Sequence, residues 1–191
     1  PACRPGPGAA PAAGKRIAGR PGRGGPGRRA ARAGRRRPRR RLIRPRLRPD
    51  TVLVGIHSGG VWVARRLREL LQLRNEIGLI DVSFYRDDYG EKGLHPRVKP
   101  TSIPFDVEGR PLILVDDVLY TGRTTRAAIN ELFDYGRPAS IQLAVLADRG
   151  QRQLPICADF CTWRVDLEPS QELELSVPAS GHLQWSLAEH A

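Results

Sequence analysis

From residue 51 onward, short unbroken apolar runs alternate with longer amphipathic stretches. Runs rich in β-branched side chains predict strands buried on both faces, and they occupy residues 51–56, 79–84, 112–115 and 140–146. Apolar residues recur with a helical period at residues 61–73 and again after Gly122. In the second helix, the side chains expected to face a core are Ala127, Ala128, Leu132 and Phe133. Strands that alternate with helices form right-handed βαβ units, so the predicted fold class is α/β, with a mainly parallel, twisted sheet flanked by helices.

The C-terminal part of the chain carries a different pattern. Residues 154–156 and 160–165 are predicted to be further extended segments. Residues 173–187 alternate in places between apolar and polar positions, on both sides of a Pro- and Gly-containing stretch at 178–181. Alternation around turn residues predicts a C-terminal β-hairpin.

The most informative stretch is residues 115–124, VDDVLYTGRT. Two carboxylates, Asp116 and Asp117, follow an apolar run, and a short turn with Gly122 then leads into a helix. The first N–H groups of a helix have no internal partner and the helix dipole favours negative charge there, so this turn predicts an anion site. The spacing excludes a P-loop, because no G-x-x-x-x-G-K-[ST] occurs. The alternative is a structural βα unit with a capped helix and solvated acids.

Another strand–turn–helix unit precedes this one, and its turn is a second candidate anion site: His57, Ser58, Gly59 and Gly60. Taken alone, His57 is more often a polar turn residue than a catalyst, and it is kept as a candidate ligand contact. Ligands of parallel sheets bind at the carboxyl ends of the strands. Polar groups follow predicted strands at residues 57–60, 86–88, 116–124 and 148–149, which predicts that they converge on one site.

The first quarter of the chain differs sharply in charge. Residues 1–48 hold 17 of the 32 Lys and Arg and no acid, whereas the rest holds 15 basic and 20 acidic side chains, a formal net charge of −5. A segment of Arg, Gly, Pro and Ala cannot bury enough apolar surface to offset its ordering entropy. We therefore expect a disordered basic arm at 1–49 and one domain at 50–191. Three origins of the arm stay open: translation of GC-rich DNA from another frame or start, a genuine arm that binds nucleic-acid phosphates, and a transit-type sequence.

No apolar run has membrane-spanning length, and no signal-peptide hydrophobic core is present. We therefore expect a soluble, cytoplasmic protein that does not contact a membrane.

The string VDDVLYTGRT resembles the phosphoribosyl-pyrophosphate (PRPP) signature of type I phosphoribosyltransferases. Together with SIQLAVLADRG and RQLPICADF, it makes the chain from about residue 51 to residue 159 similar to the PyrR family of pyrimidine-operon attenuation regulators and uracil phosphoribosyltransferases. The matching strings are closely spaced, and they occur in the same order as in the family. It implies the type I phosphoribosyltransferase fold, with a flexible β-hairpin hood that closes over bound PRPP; for residues 89–104 the alternative is an ordinary hairpin tip with solvated charges.

The resemblance also assigns roles to four segments. Asp116 and Asp117 become the catalytic pair, which would hold the ribose hydroxyls and stabilise positive charge on the sugar. Many relatives carry an Arg where Ser58 or Gly59 falls, which leaves the strength of pyrophosphate binding open. The full PRPP-binding set is Val115, Asp116, Asp117, Val118, Leu119, Tyr120, Thr121, Gly122, Arg123 and Thr124; the pyrophosphate loop is His57, Ser58, Gly59 and Gly60; the hood residues are Arg86, Asp87 and Asp88; and the base-binding residues are Ala147, Asp148 and Arg149.

The implied reaction converts uracil and PRPP to UMP and diphosphate. Mg²⁺ is expected to bind mainly through substrate oxygens and water, with no direct protein ligand, because this cation keeps several waters. The implied partners are PRPP, uracil, UMP or UTP, the leader of a pyrimidine-operon mRNA, and further copies of the chain in a homodimer or larger homo-oligomer.

Two alternative functions stay open. A mainly regulatory, uridine-nucleotide-sensing RNA-binding protein with weak or no catalysis would need a basic surface outside the site, and the net negative charge after residue 48 does not point to one. A phosphoribosyltransferase for another base, such as hypoxanthine or orotate, is the other alternative. Tyr120 stands where purine-type relatives often have an acid, which favours a pyrimidine.

Overall fold

The computed structural model describes residues 43–82, 100–168, 170–178 and 181–189. A 3₁₀ turn at Arg44–Arg46 precedes the main elements of these ranges. In chain order they are β1 (Val52–Ile56), α1 (Gly59–Leu71), β2 (Ile77–Ile80), β3 (Pro111–Leu119), α2 (Arg123–Asp134), β4 (Ser140–Asp148), β5 (Phe160–Arg164), β6 (Gln171–Ser176) and β7 (Gln184–Glu189).

Strands β1 to β5 form one parallel sheet in the order β2-β1-β3-β4-β5. The predicted α/β class with a parallel sheet is therefore confirmed. The chain runs from β1 through α1 to β2 on one side, and β3 then pairs with the other side of β1, with Gly55 opposite Val115. The strand order therefore reverses between β1 and β3, and open α/β sheets bind ligands in a crevice beyond the strand ends at such a point.

Both faces of the sheet are buried, as the unbroken apolar runs predict. Alternate residues of β1 and β3 point to opposite faces because the side-chain period of a strand is two. One face packs against α2 and the other against α1, and each full burial of an aliphatic side chain contributes about 1.5–3 kcal/mol. The first cluster includes Val52, Val54, Leu112, Leu114, Ala128 and Leu132, and the second includes Leu53, Ile113, Val115, Val63 and Ala64.

Helix α1 lies directly on the strands because glycines line the contact. A Cβ atom at Gly55 would lie 2.8 Å from the Cα of Val61, and one at Gly60 would lie 2.4 Å from the carbonyl oxygen of Val115. The helix begins at Gly59, two residues before the predicted start, and ends at Leu71.

Two sequence predictions need correction. The third strand does not stop before the acids but continues to Leu119, because its pairing with β4 extends to Asp148. Phe133 does not face the core: its side chain is 53% exposed, whereas its neighbour Leu132 is fully buried. One residue along a helix rotates the side chain by about 100°, which carries Phe133 off the buried face of α2. Of the run at 79–84, β2 covers Leu79 and Ile80, and positions 83 and 84 lie outside the described residues.

The C-terminal hairpin is confirmed, with β6 and β7 paired antiparallel and Leu175 opposite Trp185. Leu175 is buried in the cluster on the α1 side of the sheet, and Trp185 packs against that cluster. Residues 154–156 form a loop rather than a strand, and the predicted segment at 160–165 corresponds to β5.

The last residues of the predicted arm pack on the domain. Ile43 is buried in the α1-side cluster, and the Arg46 guanidinium lies 5.5 Å from the centre of the Phe160 ring. Residues 43–49 therefore adjoin the domain, because Ile43 and Leu47 pack against its α1-side cluster. Among the described residues, no helix combines the length and the apolar character needed to cross a membrane.

Candidate functional site

The turn after β1 is held at the end of the sheet by its neighbour β2. The backbone N–H of His57 donates to the carbonyl oxygen of Ile80 over 2.8 Å, which continues the pairing one residue beyond the strand. The His57–Ser58 peptide bond is cis, and Ser58 occupies the N-cap position of α1 without a side-chain capping hydrogen bond. The predicted pyrophosphate loop therefore lies on one side of the crevice.

The carboxylate of Asp117 meets this turn directly. A Cβ atom at Gly59 would lie 2.1 Å from Oδ2 and 2.3 Å from Cγ of Asp117, so only a glycine leaves room for the carboxylate in this position. The structure thus brings the predicted pyrophosphate loop and the predicted acidic motif into contact, although 56 residues lie between Gly60 and Asp117 in the sequence.

The two neighbouring acids have different environments. Asp116 is only 6% exposed, and its Oδ1 accepts a hydrogen bond of 2.9 Å from the backbone N–H of Asp117. Asp117 is half-buried and its side chain points to the Gly59 turn. Alternation along β3 sends the two side chains to opposite faces of the strand. Asp117 is thus the acid that faces the Gly59 turn. Asp116 holds the backbone N–H of Asp117 through its side chain.

The turn from β3 into α2 is also built tightly. Gly122 has φ +94° and occupies the N-cap of α2, a conformation that favours glycine. The hydroxyl oxygen of Thr121, a buried side chain, accepts a 3.3 Å hydrogen bond from the N–H of Arg123. The first turn of α2 contains no acidic residue. This combination leaves the positive end of the helix dipole available to an anion.

The segment after β4 packs against the same turn. The N–H of Arg149 donates to the carbonyl oxygen of Leu119 over 3.1 Å. The Arg149 guanidinium carbon lies 3.8 Å from the centre of the Tyr120 ring, and the side chain is only 9% exposed, a geometry that favours a cation–π interaction. Ala147 is buried in β4 opposite Val118. The predicted base-binding segment and the predicted PRPP segment are therefore neighbours.

Arg152 is not among the site residues predicted from the sequence, yet its side chain forms several hydrogen bonds in this region. Its guanidinium donates to backbone carbonyls from both β3 and the loop after β4, and it also forms an ion pair with Asp148 at 2.5 Å. A lone arginine in a polar loop has no periodic signal. The only hint in the sequence is its position inside the RQLPICADF string.

The residues present suit a magnesium ion that arrives with a substrate. Among the described residues, no three His, Cys, Asp or Glu side chains are grouped to hold a metal ion. The Asp117 carboxylate beside the Gly59 turn would accept hydrogen bonds from the waters that Mg²⁺ keeps, while substrate oxygens would supply the direct ligands. The predicted hood residues Arg86, Asp87 and Asp88 lie outside the described residues.

Comparison with known proteins gives consistent results. Residues 41–172 match the family model of the phosphoribosyl transferase domain. A protein of Ralstonia nicotianae named bifunctional protein PyrR is 55% identical over 132 residues, which make up 69% of this chain and 75% of that protein.

Solved structures agree on the fold. A hypoxanthine-guanine phosphoribosyltransferase from Bacillus anthracis superposes with a TM-score of 0.54 at 18% identity, covering 69% of this chain and 76% of the other. A purine phosphoribosyltransferase from Pyrococcus horikoshii superposes with a TM-score of 0.51 at 29% identity, covering 66% of this chain and 77% of the other. The fold predicted from the sequence is confirmed.

Proposed function

The chain belongs to the PyrR family of phosphoribosyltransferases, and from this membership we propose that it transfers the phosphoribosyl group of PRPP to uracil, forming UMP and diphosphate. The observation that carries the proposal is the contact between the Gly59 turn and the Asp117 carboxylate, beside the N-terminus of α2. PRPP carries a monophosphate, a ribose and a diphosphate, and this crevice offers one kind of group for each.

The monophosphate suits the turn at Thr121, Gly122, Arg123 and Thr124. Backbone N–H groups at the start of α2 and the helix dipole favour an anion there, and Gly122 allows close approach of the backbone. The diphosphate suits the turn at 57–60, which leads into the N-terminus of α1 on the other side of the crevice. Asp117 contacts the Gly59 turn and precedes Thr121 in the chain, and its carboxylate would accept hydrogen bonds from the ribose hydroxyls of a bound PRPP.

Transfer breaks the bond between ribose C1 and the diphosphate oxygen and forms a bond between C1 and a uracil nitrogen, whose proton passes to the departing diphosphate or to water. Positive charge develops on the ribose during this displacement, so a carboxylate fixed beside the ring stabilises the transition state more than the ground state. Asp116 holds the backbone N–H of Asp117 and thereby its orientation. Mg²⁺, when bound with PRPP, neutralises charge on the diphosphate that leaves.

Uracil is assigned to the side of the crevice formed by Ala147, Asp148 and Arg149, which adjoins Tyr120. The Arg149 guanidinium, which is largely buried against the Tyr120 ring, places positive charge behind this wall. A pyrimidine with two carbonyl oxygens suits such a wall, since its oxygens accept hydrogen bonds. The solved purine enzymes named above share the fold and do not decide the base.

Regulation is the second part of the proposal. The relative from Ralstonia nicotianae is named bifunctional, which supports a role in pyrimidine-operon transcription in addition to catalysis. The same crevice would bind UMP or UTP, so that the nucleotide signals pyrimidine supply while another surface contacts the mRNA leader. A homodimer or larger homo-oligomer and a cytoplasmic location belong to this proposal.

A base-competition assay tests the substrate. The full chain is incubated with PRPP, Mg²⁺ and equal concentrations of uracil, cytosine, orotate, hypoxanthine and guanine, and the nucleotide products are separated by chromatography. UMP as the dominant product is expected. IMP or GMP as the dominant product would contradict uracil as the substrate, but the protein would still be a phosphoribosyltransferase. Binding of a pyrimidine-operon leader RNA that rises with added UMP tests the regulatory part.

A further inference from the structure

We propose that Arg152 is a positioning residue that clamps the β3–α2 turn to the loop after β4, and thereby sets the affinity of the site for PRPP. The names of the substrates rest on the proposed function. The clamp itself rests on hydrogen bonds within the protein, which are independent of any ligand. In this role Arg152 acts through the turn that it holds.

On one side, the clamp holds the end of β3. Arg152 Nη1 donates to the carbonyl oxygen of Leu119 at 3.3 Å and also to the carbonyl oxygen of Tyr120. Leu119 is the last residue of β3, and Tyr120 directly precedes the turn that begins at Thr121. The bonds therefore fix the backbone where it leaves the sheet for the candidate phosphate site.

On the other side, the clamp holds its own loop. Nη1 also donates to the carbonyl oxygen of Gly150 at 2.9 Å, Nε donates to that of Ile156 at 3.1 Å, and Nη2 pairs with Asp148 Oδ1 at 2.5 Å. The loop that carries these groups contains the predicted base-binding residues. A single planar side chain therefore joins the two segments that the proposed reaction has to align.

Backbone hydrogen bonds complete the connection. The carbonyl oxygen of Thr121 accepts from the N–H of Gln153 at 3.1 Å and from the N–H of Leu154 at 3.2 Å. These two residues follow Arg152 directly, so a shift of the arginine moves both donors. Because the hydroxyl of the same threonine orients Arg123 N–H at the start of α2, the disturbance reaches the phosphate turn.

Only arginine suits this position. A guanidinium carries five N–H donors in a rigid fork, whereas an ammonium carries three donors around a single point. Arg152→Lys keeps the positive charge and loses the ability to span Leu119, Tyr120 and Ile156 together. The resulting misplacement of the turn is expected to weaken PRPP binding by about 10- to 100-fold, the loss that follows a misplaced binding group.

The experiment compares Arg152→Lys with Arg137→Lys. Arg137 is exposed and lies near the opposite end of β4, so its variant controls for the exchange of arginine for lysine. Calorimetry measures the Kd for PRPP with Mg²⁺, thermal melting measures folding, and hydrogen exchange measures the amides of Gln153 and Leu154 with and without PRPP. We expect a folded Arg152→Lys protein with a raised Kd and faster exchange at both amides, and an unchanged control.

The outcomes separate positioning from mere stabilisation. A purely structural role would lower the melting temperature and leave the Kd of the folded protein unchanged, which would overturn the proposal. If Arg152→Lys does not fold, the wild-type protein decides: PRPP has to slow exchange at Gln153 and Leu154, and no change there would refute the clamp. If the wild-type protein binds PRPP but makes no UMP, the proposed function is wrong, and the clamp is still tested by the Kd for PRPP and by hydrogen exchange at Gln153 and Leu154. If PRPP does not bind, unchanged exchange at these amides in Arg152→Lys without ligand refutes the clamp.

Discussion

Replacing Gly59 by alanine adds a methyl group at the place where the Asp117 carboxylate lies. The new Cβ atom would be 2.1 Å from Oδ2, whereas ordinary contacts begin near 3.4 Å, so the oxygen has to retreat by about 1.3 Å. A displacement of this size in a catalytic group costs roughly 100-fold in rate, which corresponds to about 2.7 kcal/mol of transition-state stabilisation. We therefore expect Gly59→Ala to lose about two orders of magnitude in kcat.

The free energy of unfolding is expected to fall by about 1–3 kcal/mol in this variant. The carboxylate can rotate away, but the Cβ atom of Asp117 would lie 2.9 Å from the new methyl group and can retreat only together with the backbone of β3. Thermal melting monitored by circular dichroism measures the stability, and UMP formation measures the activity. A loss of about 100-fold in kcat in a variant that is still folded at the assay temperature would identify the contact as functional.

Two other glycines provide matched comparisons. At Gly60 the new methyl group would lie 2.4 Å from the carbonyl oxygen of Val115, which cannot rotate away, so Gly60→Ala is expected to lose at least about 1–3 kcal/mol of stability as well as activity. At Gly109 nothing lies within 4 Å but φ is +65°, so alanine there should cost about 1–2 kcal/mol and leave kcat unchanged. Full activity of Gly59→Ala would refute the role assigned to the contact.

Three further predictions concern the acids, the arm and the core. Asp116→Asn combined with Asp117→Asn should reduce UMP formation by ~10³-fold with a near-native melting curve, and ordinary turnover in this double variant would remove the catalytic assignment. A chain without residues 1–42 should keep its kcat/KM, and a loss would show that the arm contributes to the domain. Leu132→Ala should cost about 2–5 kcal/mol in urea unfolding whereas Phe133→Ala should stay within about 0.5 kcal/mol, and equal costs would contradict the phase of α2.

Much of the site could be predicted because parallel strands end at the same edge of a sheet. The apolar runs located the strands, and the polar residues after them therefore had to meet, as Gly59 and Asp117 do. The identity of the contact could not be predicted, because the missing side chain of a glycine leaves no pattern in the sequence.

The errors have physical causes that a single sequence does not display. Asp116 and Asp117 are poor strand formers, yet β3 continues through them because β4 offers hydrogen-bonding partners as far as Asp148. The position of Phe133 depended on the phase of a helix, where one residue separates buried from exposed. Arg152 escaped notice because its partners are mostly backbone carbonyl oxygens, which every sequence contains.

The most direct test of the account is UMP formation from radiolabelled uracil and PRPP with Mg²⁺, measured in parallel on the full chain and on the Asp116→Asn, Asp117→Asn variant. The account predicts PRPP-dependent UMP formation by the full chain and its loss in the folded variant. Equal UMP formation by both proteins, or none by the full chain, would contradict the assignment of this crevice as a site of phosphoribosyl transfer to uracil.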